Sequence, residues 1–196
     1  MLKWSASLFG LAALLSLSST LHAQASPTAI RGGGDIQAGV GVTFADGDYQ
    51  NGTANNIASS NLGGVSFFAN YGFTHSIGVE ADVHLLTIYT PTDFSQKTYM
   101  IGPRYTYHRG KQAVYAKVIF GRGSFTYQEP QDPARKNPYF GNGASFNTYA
   151  FGGGYSYKIK PHYNLLVDVE DQKWPNFEPH TLSPLLVTVG VAYVIR

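Results

Sequence analysis

Residues 185–195 read Leu185-Leu186-Val187-Thr188-Val189-Gly190-Val191-Ala192-Tyr193-Val194-Ile195, with Arg196 after them. Val187, Val189, Val191, Tyr193 and Ile195 share one parity, and Thr188, Gly190 and Ala192 share the other. A period of two is that of a β-strand, whose successive side chains point to opposite faces. Here one face is wholly apolar and the other small or weakly polar. In a water-soluble sheet such an apolar face packs on a core. In a membrane barrel it meets lipid, and the small face lines a narrow lumen. A last strand in lipid has to pair with the first, because an unsatisfied backbone group in hydrocarbon is costly.

Working outward, seven earlier stretches repeat the pattern, over residues 36–44, 64–73, 78–85, 98–107, 114–121, 148–157 and 163–170. The parity that contains Val40, Phe67, Val83, Tyr105, Val118, Phe151 and Val167 carries no charged residue. The opposite parity carries Glu80, Asp82, Arg104, Lys117, Asp168 and Glu170. Connections alternate as well. Those at 74–76, 108–112 and 160–161 are short, whereas 46–61, 87–96, 125–146 and 172–184 are long and rich in Gly, Asn, Pro and Asp. Short turns at one end and long loops at the other are the plan of outer-membrane barrels, with the long loops outside the cell. The expected fold is therefore all-β, an eight-stranded antiparallel up-and-down transmembrane β-barrel, with both termini on the short-turn, periplasmic side.

Lys3, the apolar run 8–17 and Ala23-Gln24-Ala25 read as a secretory signal peptide with its cleavage site. Residues 1–25 are expected to be removed and 26–196 to form the barrel, about 170 residues and one domain. Charged residues are 13% of the chain and aromatics 14%, with Gly at 22. That is about half the charge usual for a soluble domain. A net charge of +2 makes no electrostatic case for nucleic acid. Cysteine is absent, so backbone pairing and packing have to hold an exported fold together.

Alternation alone leaves two orientations, since a soluble ligand-binding barrel has its apolar side chains within. Three features favour the membrane orientation. The polar parity is crowded with Gly, Ser, Ala and Thr, which suit the interior of a small barrel. Its few charges are of mixed sign, as enclosed groups must be. Phe73, Tyr105, Tyr107, Tyr155, Tyr157, Tyr163 and Tyr193 lie near the short-turn ends of the apolar parity, as an interfacial girdle.

Gly-Val-Glu-Ala-Asp-Val (78–83), Gly-Pro-Arg-Tyr (102–105), Val-Tyr-Ala-Lys-Val-Ile-Phe-Gly (114–121), Gly-Gly-Gly (152–154) and the terminal Val-Gly-Val-Ala-Tyr-Val, taken in order, resemble the OmpA-type eight-stranded outer-membrane barrel proteins. The resemblance spans essentially all of residues 26–196. It implies a barrel in the outer membrane of a Gram-negative cell, inserted by the barrel-assembly machinery through its C-terminal strand. Many relatives carry a peptidoglycan-binding domain, which this chain is expected to lack. Ile195 stands where the family has a terminal aromatic, and Pro103 on the lipid parity suggests a local bulge.

Glu80, Arg104 and Lys117 are expected at similar depth in the periplasmic half of the lumen, with Asp82 beside them and Asp168 and Glu170 somewhat higher. Enclosed charges need partners, so the six read as an internal ion-pair network. The resemblance implies such a network too, with a gating role as the functional alternative. Catalysis is not expected. His75-Ser76 falls in a short turn, and His180 with Ser183 in the last loop lacks the strand spacing of a lipid-deacylating pair. His84 with Asp82 and Glu80 is too widely spaced along one strand to read as a metal site. No cofactor is expected. In the long loops Arg135, Lys136, Tyr139, Phe140, Trp174 and Phe177 are recognition candidates, for outer-membrane lipid, lipopolysaccharide or a surface partner. The expected role is structural or surface interaction with at most a small conductance. The alternatives are a lipid A-modifying enzyme and a soluble periplasmic ligand-binding barrel.

Overall fold

A computed structural model of the chain describes residues 34–47, 60–89, 95–126, 144–177 and 181–195. Eight strands follow one another: β1 (Ile36–Gly47), β2 (Ser60–Gly72), β3 (Ile77–Tyr89), β4 (Ser95–Arg109), β5 (Gln112–Thr126), β6 (Ala144–Lys160), β7 (Tyr163–Lys173) and β8 (Leu185–Ile195). Each pairs antiparallel with its neighbour in sequence, and the sheet closes into a barrel. Closure is made by β8 against β1, with Ile36 opposite Ile195 and Gly41 opposite Gly190. Every strand thus has two partners, which removes the open edge that hydrocarbon forbids.

The apolar parity faces outward. Val189 is 49% exposed, Ile101 58% and Phe44 62%, whereas their lumen-side neighbours Thr188 and Thr43 are 4% and 0%. A soluble barrel has the reverse arrangement. Phe73, Tyr105, Tyr107, Tyr155, Tyr157, Tyr163 and Tyr193 all project outward near the short turns, and Phe44, Tyr99 and Phe120 do so nearer the other end. Aromatic rings at both interfaces bracket an apolar band, as the two lipid–water boundaries require.

The strands run past the alternating stretches toward the long-loop end. β3 continues to Tyr89 and β4 starts at Ser95, so the connection expected over 87–96 shortens to residues 90–94. Backbone pairing does not stop where the apolar pattern stops.

Pro103 makes no bulge. Ile101 pairs with Phe120 and Arg104 with Lys117 in an unbroken register, and only the pairings at Gly102 and Pro103 drop out of the β4–β5 ladder. Proline removes one donor, but the flanking pairs hold the strands aligned. The register does shift at Gly63/Val65 and at Lys158/Lys160, near strand ends.

Candidate functional site

The lumen is built in layers. Its polar centre is fixed by register. Lys117 on β5 lies opposite Arg104 on β4 and Gly152 on β6, and Gly152 lies opposite Glu170 on β7. Glycine at 152 is what lets Lys117 and Glu170 meet. A Cβ there would stand 2.9 Å from Glu170 Cγ and 3.0 Å from Lys117 Cε.

Lys117 Nζ donates to Glu80 Oε1 at 2.8 Å, Asp82 Oδ2 at 2.7 Å and Glu170 Oε1 at 2.7 Å. Asp168 Oδ1 lies 3.0 Å from the same nitrogen. One ammonium has three protons, so it serves β3 and β7 from opposite sides of the barrel. The guanidinium of Arg104 takes the other oxygen of Glu80 and donates through Nε to Thr106 Oγ1 at 3.2 Å. It also stacks on Tyr115, its central carbon 3.6 Å from the ring centroid. Tyr115 in turn donates to Asp168 Oδ2 at 2.6 Å. His84 completes the cluster, with Nδ1 3.1 Å from Thr98 Oγ1 and Nε2 3.6 Å from Glu170 Oε1.

All six sequence-derived residues are therefore brought together, and each is 8% exposed or less. Asp168 and Glu170 reach Lys117 Nζ from β7, at 3.0 Å and 2.7 Å. Tyr115, His84 and Thr98 are partners that sequence reading did not assign. Their lumen parity was legible, but which strands face each other across the barrel was not. Four carboxylates share two permanent cations here. Asp82 Oδ1 has no hydrogen-bond partner among the described residues. Within a low-dielectric lumen such charges stay only where bonds of this kind hold them.

Toward the loops lies a hydroxyl layer, with Thr43 Oγ1 2.7 Å from Ser66 Oγ and 2.8 Å from Thr188 Oγ1. Beyond it the lumen becomes apolar. Ala45, Leu62, Leu86, Phe125 and Leu186 turn inward and pack with Trp174, Phe177 and Leu182. Trp174 and Phe177 were expected on an exposed recognition loop. Instead they are 0% and 7% exposed and form the lid of the barrel. Trp174 extends the lumen parity of β7, and its amide donates to the Leu182 carbonyl at 2.9 Å, which folds the chain back over the mouth. Arg135, Lys136, Tyr139, Phe140 and His180 lie outside the described residues.

At the periplasmic end a cavity of about 120 Å³ opens between the short turns and ends at Arg104. Only about 10 Å³ is open within the ion cluster. His75 and His108 line the periplasmic cavity, their ring centroids 4.9 Å apart. Ser183, the other half of the loop pair, is exposed.

A closed barrel with an apolar exterior and a charged, filled interior defines an integral outer-membrane protein. The chain matches the outer membrane protein beta-barrel domain family over residues 9–193 and belongs to that family. No curated protein matches the sequence. Among solved structures, Neisserial surface protein A has a TM-score of 0.63 at 12% identity, covering 82% of this chain and 98% of its own. Ail, the attachment invasion locus protein of Yersinia pestis, has 0.53 at 14%, covering 83% and 99%. OprG of Pseudomonas aeruginosa has 0.54 at 16%, covering 84% and 97%. At such identities the likeness is one of fold. The protein is a β-barrel of the outer membrane.

Proposed function

We propose that this barrel is a non-enzymatic membrane scaffold, closed to solutes at rest, whose extracellular loops carry its surface interactions. Residues 1–25 would act as the removable export leader. The observation that carries the reading is the double seal of the lumen. An apolar lid around Trp174 stands above, and the charges bound to Lys117 stand below. An eight-stranded barrel is just wide enough for side chains to fill, and here they do so with ion pairs and rings. The His75-Ser76 pair lies in the periplasmic turn between β2 and β3, away from outer-leaflet lipid.

Planar-bilayer recording tests the seal. Wild-type protein is expected to hold the baseline with at most brief small openings. Arg104→Ala releases Glu80 from one cation and should lengthen the openings or lower the unfolding midpoint. A steady large conductance in the wild type, or a variant unchanged in both respects, would sink the reading.

A further inference from the structure

Lys97 on β4 and Arg122 on β5 are exposed and share the outward parity of Tyr99 and Phe120. Arg122 lies directly opposite Tyr99, and Lys97 opposite Ser124. The two cations are thus diagonal cross-strand neighbours, with a separation of about 7–8 Å. Side chains as long as these can converge on one anion.

Their height decides which anion. Lys97 is ten residues along β4 from Tyr107 in the periplasmic girdle. At a rise of about 3.3 Å per residue and a tilt of about 40°, that is about 25 Å along the membrane normal. The apolar band of such barrels is also about 25 Å tall. Lys97 and Arg122 therefore stand at the outer headgroup level, facing lipid, just beyond Tyr99 and Phe120.

Among the described residues neither has an acidic partner. Lys173 on β7, by contrast, pairs with Asp171 at 2.8 Å. The outward neighbours at this rim are neutral. Asn147 on β6 lies opposite Arg122, and Thr87 is outward on β3. A lipid-facing cation pair with no acidic partner among the described residues can draw its counter-charge from the bilayer. At that level the available anion is phosphate, which Arg can take in bidentate fashion and Lys as a point charge.

We propose that Lys97 and Arg122 form a binding site for the phosphate of an outer-leaflet lipid. Tyr99 and Phe120 pack beside its acyl or sugar portion. The inference rests on the outer-membrane placement of the barrel and adds a ligand and a location to it.

The test follows heat-induced unfolding of the purified barrel in uncharged micelles, read as the midpoint of the gel-mobility change, with and without bisphosphorylated lipid A. Lipid A should raise the wild-type midpoint by several degrees. The Lys97→Gln/Arg122→Gln double variant, whose altered side chains leave the lumen untouched, should lose that rise. Dephosphorylated lipid A and inorganic phosphate alone should leave the wild-type midpoint where it was. An equal rise in the double variant, or with dephosphorylated lipid, overturns the site. An equal rise with inorganic phosphate overturns its assignment to lipid. A failed site still leaves the mobility difference between heated and unheated protein, whereas failure of the barrel reading abolishes it.

Discussion

Lys117 is the residue on which the interior depends, because one ammonium bonds carboxylates from two strands that are not neighbours. Lys117→Met keeps a similar length and removes the charge. Glu80 would retain Arg104, but Asp82, Asp168 and Glu170 would face one another without a shared cation. Breaking a buried pair from one side typically costs about 3–5 kcal/mol. Urea unfolding in lipid vesicles should show a loss of that order, and a change below about 1 kcal/mol would mean that the cluster is solvated. The six charged members of this cluster were legible in the sequence, since each breaks an otherwise small and neutral parity. Tyr115 and His84 were not. An aromatic on the lumen parity reads as filler until the tertiary structure puts Asp168 and Arg104 against it.

Among the elements, the extension of β7 through Trp174 and back by way of Leu182 shows how a connection becomes part of the core. Trp174 fits because Gly123 on β5 has no side chain. A Cβ at that position would run into the indole ring. Gly123→Val should expel the indole at a cost of about 1–3 kcal/mol. The readout is direct, because the chain's 2 tryptophans are Trp4 and Trp174. In protein starting at Ser26 the emission reports Trp174 alone. The variant should emit at longer wavelength than the wild type, and an unshifted spectrum would refute the lid. The parity of β7 already pointed Trp174 inward. Its place in the 172–184 connection masks that signal. At Pro103 a missing donor does not displace the strand, because the pairs on either side keep the register.

For the whole molecule, closure is the property from which the others follow. β1 and β8 join along the full length of β8, so no strand edge remains for unfolding or for pairing with another chain. Unheated protein should therefore run on a denaturing gel at a mobility different from that of boiled protein, and should be recovered in outer-membrane fractions. A single mobility before and after boiling would contradict a detergent-resistant barrel. Strand number was written in a period of two, because a strand's side chains alternate whatever its partners are. Antiparallel order was written in the alternation of short and long connections, and the outward face and girdles in the residue types that fill each parity. These patterns are local, and the sequence by itself determined them. The contacts of Asp168 and Glu170 with Lys117, the lid made by Trp174 and Phe177, and the diagonal of Lys97 with Arg122 were decided only in the tertiary structure. Each depends on the stagger between strands. Stagger is set when the sheet closes on itself, by pairings between residues far apart in the chain.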